Sequence, residues 1–485
     1  MKAFRMSTKS CDVIIIGAGV AGLAAAEALS RDGARVALLE RKPYVGGRAY
    51  SYLHPALDEV IDSQHVLVDC CTNLVDLFKR SGADRHVRWY DSIPFLEPAA
   101  ATRPVRRSNI GSGILPAPAH AALSFLAADM LSFSDKLGIA RALLSFLRGY
   151  PARDDEPFSD WLRRARQSDR AILHFWEPVI VSTLNDSFER CSTRYAGQVF
   201  HELFLKNSRG SRQGIPTQPL SEFYAQLAAL AQKQGTALHL RAGIDRIQQF
   251  GDGAWHAIDS NYDDYTAPSI ILALPFEQAA RLIGTLPEDS PQRARLLPDF
   301  QHFVSAPFTT IHLWLDRSIT DLDQAALLDT RIQWMFNKSR IRRDEPAQRG
   351  KPGEYLELVI AASHAELQRT REDILSSAFA ELALFFPAIG HAKILKSGIL
   401  KEARATFSVV PGLDAHRPLA SAGNGLYLAG DWTRTGWPST MEGAARSGRL
   451  AAEAVAAACG QSSPFLTPDL PTSGLMRLLP LSAGH

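Results

Sequence analysis

Gly17, Gly19 and Gly22 stand in the segment Cys11-Asp-Val-Ile-Ile-Ile-Gly17-Ala18-Gly19-Val20-Ala21-Gly22, and Glu40 follows 18 residues after the last of them. Together these residues have the chemistry to hold a dinucleotide. A glycine at 17 permits a tight turn, and one at 19 lets the backbone approach a pyrophosphate. One at 22 lets a helix pack closely on the strand before it. Val20 and Ala21 would open that helix, with their amides facing the phosphates. Glu40 closes the next apolar run, Val36–Leu39, where a carboxylate accepts hydrogen bonds from an adenosine ribose.

Arg41 follows the acid directly, and Gly46-Gly47-Arg48 comes shortly after. Two glycines let a loop pass close to a ligand, and an arginine fork binds a phosphate oxygen or a polar flavin edge. A plain nicotinamide-dependent dehydrogenase has no need of this second pair. A further set lies near the C-terminus: Gly425-Leu-Tyr-Leu-Ala-Gly430-Asp431, then Trp432-Thr-Arg434-Thr-Gly436-Trp437-Pro438, then Ser439-Thr440-Met441-Glu442-Gly443. Asp431, at a strand end, can accept bonds from ribityl hydroxyls or sit by a pyrophosphate-bound water. A helix opening at Thr440–Met441 points free amides and its positive dipole end at a flavin pyrimidine. That stabilises the negative charge a reduced flavin carries there. The two sets, about 400 residues apart, specify FAD. The second contains no cysteine, so the expected attachment is non-covalent.

The elements that must position these residues read as an α/β fold. It comprises a Rossmann-type FAD-binding domain with an inserted α+β substrate domain. Periodicity predicts helices over 69–82, 119–147, 221–234 and 365–386. Strands are expected at 237–241, 243–247, 255–258, 269–274, 307–316 and 354–360, and a charged turn at 342–349. The expected FAD-binding domain is discontinuous, 10–85, 215–290 and 405–462. The substrate domain takes 86–214 and 291–404, with helices that could face a membrane, and 463–485 is a tail.

The chain has 485 residues, 46% hydrophobic and 21% charged, with a net charge of +2. That balance gives no reason to expect a nucleic-acid partner. Its five cysteines form no C-x-x-C and no metal-ligand cluster; no metal is expected, and a reducing, cytoplasmic compartment is. The polar first ten residues carry no apolar core of a secretory signal. The uncharged stretch 108–128 is broken by Pro116, Pro118 and His120, so no spanning helix is expected. Residues 119–147 read as core or as a segment that dips into a bilayer from one side. Arg163, Arg164, Arg166 and Arg170 read as a solvated face, with anionic-lipid or diphosphate contact as the alternative. Gly111-Ser-Gly113 follows no predicted strand, so no second nucleotide domain is expected.

The N-terminal glycines with Gly46-Gly47-Arg48 resemble the flavoprotein group of amine oxidases and phytoene desaturases. Four further segments narrow this. They are Ile61-Asp62-Ser63-Gln64-His65-Val66-Leu67 with Cys70-Cys71-Thr72-Asn73-Leu74, Arg88-Trp-Tyr90 with Phe95-Leu-Glu97-Pro, His312-Leu-Trp-Leu-Asp316-Arg317, and Gly430 to Gly443. Together they resemble the squalene-associated FAD-dependent desaturases, the hydroxysqualene dehydroxylase family, from Cys11 to about Ala456. The resemblance implies reductive dehydroxylation of hydroxysqualene to squalene, a step of squalene or hopanoid biosynthesis. It implies a C30 isoprenoid substrate, electrons from NADPH or a partner reductase, and neighbouring squalene-pathway enzymes. It also implies peripheral contact with the cytoplasmic face of the inner membrane. Backbone at Ile244 would hold the adenine. His65 and His312 would be the proton donors to test, and Gln64 could hold a water. The alternatives are an oxidative phytoene-type desaturase and a non-catalytic prenyl-chain carrier on the same fold. Retention of both FAD sets speaks against the carrier.

Overall fold

Four consecutive β-branched residues, Val13–Ile16, are buried on both faces, as a central strand of a parallel sheet requires. In the computed structural model, which describes residues 8–100, 103–251, 253–260, 263–345 and 353–479, this strand is third of six. The order is Ala237–Leu240, Val36–Glu40, Val13–Ile16, Ser269–Ala273, Leu426–Ala429 and Ser421–Gly423. The first five run parallel and the last is antiparallel. The chain therefore leaves this sheet and returns to it from distant positions. Helix Val20–Arg31 packs against Met441–Ala458 and Leu220–Lys233. The first contact is close because Gly448 has no side chain: a Cβ there would lie 2.1 Å from the Ala21 carbonyl oxygen.

A second sheet has seven strands, ordered Ile394–Phe407, Ser305–Leu315, Glu354–Ala361, Trp334–Asn337, Gln324–Leu327, Ser92–Glu97 and Arg106–Gly111. It is antiparallel except where Gln324–Leu327 meets Ser92–Glu97. Between residues 122 and 205 the chain is mainly helical. Phe158, Trp161, Phe175, Trp176 and Phe200 stack edge and face there, in one core cluster with Ile14 and Ile16 of the parallel sheet. A four-stranded sheet that includes Ile244–Gln249 flanks the six-stranded one.

The α/β architecture expected from the sequence is the one observed, with local corrections. The helix expected over 119–147 is broken into Ala122–Leu126 and Phe133–Leu143. Ser132 and Asp135 form a reciprocal cap at the break, a signature that starts a new helix. The helix expected from 365 starts at Arg371, where the Thr370 hydroxyl accepts from the Asp373 amide, and the helix expected over 69–82 is Thr72–Ser81. Gly111 does close a strand, contrary to expectation, but that strand is antiparallel to Ser92–Glu97 and no helix opens on Gly113. Residues 346–349 of the expected charged turn, 480–485 of the tail and 1–7 lie outside the described residues.

Candidate functional site

The first glycine cluster is a backbone surface. Gly17 has φ +103°, and a Cβ there would lie 2.3 Å from the Ala273 carbonyl oxygen; at Gly22 it would lie 1.8 Å from that of Gly17. Gly19, by contrast, faces open space, with only Gly47 Cα nearby at 3.7 Å. The Gly46 amide donates to the Ala18 carbonyl at 2.9 Å, so the two glycine loops lie side by side. Gly19 caps helix Val20–Arg31 without any side-chain acceptor, and the first turn holds no acid. The first amides of this helix thus face a groove walled by glycine, which suits a pyrophosphate.

Glu40 is buried at the end of its strand. Its carboxylate accepts from the Ala18 amide at 2.8 Å and the Lys42 amide at 2.9 Å. A carboxylate has about four lone-pair sites, so ribose hydroxyls can still be accommodated. The Ala242 amide donates to the Glu40 carbonyl at 2.8 Å, which brings Ile244 alongside Glu40 and Arg41. Arg41 itself is exposed. Lys42 donates to the Gly47 carbonyl at 3.1 Å and lies 4.1 Å over the Tyr50 ring.

The N- and C-terminal sets meet through one ion pair. Arg48 Nη2 donates to Asp431 Oδ1 at 2.6 Å, and Ser439 Oγ donates to Asp431 Oδ2 at 2.6 Å. Gly430 is held by Ser447, whose hydroxyl accepts its amide at 2.8 Å. Thr440 caps helix Met441–Ala458, its hydroxyl accepting from the Gly443 amide at 3.0 Å. Glu442 turns away and accepts from the Asn73 and Leu74 amides. The Tyr224 hydroxyl donates to Met441 Sδ at 3.4 Å. Fully buried Arg417 donates to the carbonyls of Asp431, Thr433 and Trp437 at 2.9, 2.6 and 2.8 Å, which fixes the loop between Asp431 and the helix.

The turn Asp62–His65 is held by a buried ionic cluster. Lys338 Nζ donates to Asp62 Oδ1 at 2.9 Å and Gln64 Oε1 at 2.7 Å, and lies 2.9 Å from Glu357 Oε2. Lys338 thus hydrogen-bonds Asp62 and Gln64 and forms a buried ion pair with Glu357. Arg342 donates to Asp62 Oδ2 at 2.9 Å, and the Gln64 amide donates to Glu357 Oε1 at 2.5 Å. Burial opposes ionisation of Asp62, but Lys338 and Arg342 outweigh it and hold its pKa well below the usual range. Glu357 is lifted by burial, against Lys338, to about 7.

These contacts define what each expected reactive residue can do. Gln64 is occupied at both ends, since its Nε2 donates to the His65 carbonyl at 2.8 Å. His312 is fully buried, with Nδ1 2.8 Å from the Tyr355 hydroxyl and Nε2 3.2 Å from that of Thr310; burial depresses its pKa to about 3. Half-buried His65 has Nδ1 2.6 Å from the Ser63 carbonyl. A carbonyl only accepts, so Nδ1 carries the proton and Nε2 presents a lone pair. Burial lowers the pKa of His65 below 6.5. Among the described residues, none hydrogen-bonds its Nε2. Lys338, Arg342, Glu357 and Arg417 had no motif to reveal them. A lone lysine just after the apolar run Trp334–Phe336 was the one available signal.

A family profile described as flavin-containing amine oxidoreductase matches residues 20–456. The chain is 27% identical over 477 residues to the 15-cis-phytoene desaturase of Solanum lycopersicum, covering 92% of this chain and 78% of that protein. It is 24% identical over 489 residues to the zeta-carotene desaturase of Synechocystis, covering 92% and 97%. The crystal structure of an oxidoreductase from Methanosarcina mazei has the same fold, with TM-score 0.69, 18% identity, and coverage of 90% and 98%.

Proposed function

The chain belongs to the flavin-containing amine oxidoreductase family, and within it we propose that it reduces hydroxysqualene to squalene in squalene or hopanoid biosynthesis. The relatives named for phytoene and zeta-carotene support a long polyisoprenoid substrate. In the reaction the allylic C–O bond breaks, the hydroxyl takes a proton and leaves as water, and a hydride replaces it on carbon. Bound FAD, reduced by NADPH or a partner reductase, supplies hydride chemistry. The chain's own residues hold it: Gly17 to Gly22 and Gly46-Gly47 form the pyrophosphate groove, Glu40 and the backbone near Ile244 take the adenosine end, and Arg48, Asp431 and the Thr440–Met441 helix start take the flavin end. The domain division at 10–85, 215–290 and 405–462 belongs to the same reading.

The observation that carries the substrate reading is the Asp62–His65 turn. The cluster consumes the side chains of Asp62 and Gln64 and leaves His65 Nε2 open. A neutral imidazole with that lone pair accepts from the substrate hydroxyl and orients it. His65 is therefore a positioning acceptor at neutral pH rather than the standing proton donor expected from the sequence. Glu357, lifted by burial to about 7, is the more readily protonated of the cluster's two carboxyls. Both nitrogens of His312 are engaged, so it has no free donor or acceptor for the substrate.

An apolar surface supports peripheral membrane contact, which we place at the cytoplasmic face of the inner membrane as part of the same proposal. Phe133, Leu137 and Leu144 are 76, 64 and 64% exposed, with Leu123 and Leu126 nearby. Among the described residues no helix is long and apolar enough to cross a membrane. The second reading, oxidative desaturation of a phytoene-like polyene, is favoured by the identity to phytoene desaturases. Holoprotein with a reductant should convert hydroxysqualene to squalene, read by mass spectrometry, and leave phytoene unchanged. Desaturated products from phytoene with no squalene would establish the second reading instead. A colourless protein inert to both would leave the carrier.

A further inference from the structure

We propose that the C-terminal stretch 463–479 completes a docking face for an anionic lipid surface, with Leu475, Arg477 and Leu478 meeting the headgroup layer beside the helix Phe133–Leu143. This rests on the peripheral-contact part of the functional reading and deepens it, adding a segment to the face and a charge class to its lipid.

The stretch expected as a tail is a strap laid along the molecule. The Phe465 amide donates to Glu453 Oε1 at 2.7 Å and the Thr467 amide to Asn73 Oδ1 at 2.9 Å, which ties its start to helices Met441–Ala458 and Thr72–Ser81. Further on, Asn207 Nδ2 donates to the Pro471 carbonyl at 2.8 Å and the Ser473 amide to the Lys206 carbonyl at 3.0 Å. Its end is clamped on the loop before Ala122. The Leu475 amide donates to the Ala117 carbonyl at 2.8 Å, and Met476 is fully buried. A Cβ at Gly474 would lie 2.6 Å from the Ala117 amide nitrogen. On this fixed backbone Leu475 and Leu478 are 54 and 79% exposed, and Ile114, on the clamped loop, is 93% exposed. Large apolar side chains held out into water mark a contact surface.

The same loop leads into helix Ala122–Leu126, whose Leu126 carbonyl accepts from Lys136 Nζ at 2.6 Å. Helix Phe133–Leu143 is apolar on two faces. Ile139 and Ala142 turn inward, while Phe133 and Leu137, four residues apart, and Leu144, two turns further on, form an outward stripe.

Charge decides the partner. The basic residues of 108–148 and the strap are Lys136, Arg141, Arg148 and Arg477, and the acids are Asp129, Asp135 and Asp469. Each acid is engaged: Asp135 caps its helix, Asp469 pairs with Arg446, and Asp129 acts on the charge of Arg106. Arg163, Arg164 and Arg170, for which lipid contact was the expected alternative, are paired with Asp160, Glu156 and Glu97. An apolar face edged by cations suits anionic headgroups, the leucines entering the acyl boundary beneath them. A second copy on this face would set like charges against each other.

The test floats FAD-loaded protein with vesicles of phosphatidylcholine alone or mixed with phosphatidylglycerol. It needs no turnover, so its failure leaves dehydroxylation standing, and failure of that reaction leaves this face untouched. Binding to the mixed vesicles is expected, weaker by about tenfold or more on phosphatidylcholine alone and at high salt. Leu475→Ser with Leu478→Ser, and separately Arg141→Gln with Arg477→Gln, should each weaken it by about tenfold at unchanged flavin content. Equal binding to both vesicles overturns the lipid class, and unchanged binding by the leucine variant overturns the role of the strap. Binding to neither overturns the whole; self-association abolished by the leucine variant would then assign the face to a second copy.

Discussion

The dinucleotide cradle and the Lys338 cluster are built from opposite materials. In the cradle, Gly17, Gly19, Gly22, Gly46 and Gly47 present backbone, and specificity comes from helix starts and from side chains that are absent. In the cluster, Asp62, Lys338, Arg342 and Glu357 are joined by side chains from a hairpin, a short helix and a sheet strand. The cradle fails sterically, when an atom is added. The cluster fails electrostatically, when a charge is removed and its partner stays buried.

The largest effect is expected at Gly22. Gly22→Ala places a methyl 1.8 Å from the Gly17 oxygen, so the protein should be recovered without flavin or not at all. Gly19→Ala has room and should fold while binding FAD more weakly. Equal flavin occupancy in the two variants would break the distinction between packing glycine and ligand-facing glycine.

Next comes the cluster. Lys338→Met leaves Glu357 without its cation and Asp62 with Arg342 alone, at a cost of about 3–5 kcal/mol for a broken buried pair. Urea unfolding measures it. Adding Glu357→Gln to Lys338→Met should recover part of the loss, because the two sites touch; strict additivity would mean that they do not act as a unit.

The same contrast governs what the sequence makes legible. Backbone chemistry is written in short spacings: the positions of Gly17, Gly22 and Glu40 in the β-α-β unit, and the helix start at Thr440–Met441, follow from local pattern. The Asp62-Ser63-Gln64-His65 segment is also distinctive, yet nothing local indicates that Lys338 lies 2.9 Å from Asp62, because they come together only where the Ser51–Asp62 hairpin meets the seven-stranded sheet. His312 illustrates the converse. A histidine on an apolar strand suggested chemistry, whereas Tyr355 and Thr310, one from a neighbouring strand and one from its own, occupy both nitrogens. The break at Ser132 rests on a local Ser132–Asp135 cap set inside an apolar stretch whose periodicity reads as one helix.

A smaller effect is expected at His65. His65→Ala removes one hydrogen bond to the substrate hydroxyl and should lower turnover by roughly tenfold to a hundredfold, with FAD content unchanged. Steady-state kinetics beside the flavin spectrum separate this from misfolding.

The smallest effect is the pH dependence of stability. Burial raises Glu357 from 4.5 to about 7 in the folded protein. Its contribution is therefore complete below the unfolded value and lost as pH rises through about 7, with a slope of at most about 1.4 kcal/mol per pH unit. The urea midpoint should fall between about pH 4.5 and 7 and level off above that, and Glu357→Gln should flatten that fall. An unchanged slope in the variant would remove Glu357 as the proton holder.

Anaerobic mixing of reduced FAD-loaded protein with hydroxysqualene tests the direction of electron flow most directly. The flavin colour should return as squalene forms, one flavin reoxidised per squalene. Reduced flavin that stays colourless with hydroxysqualene, beside oxidised flavin that bleaches with phytoene, would contradict reductive dehydroxylation.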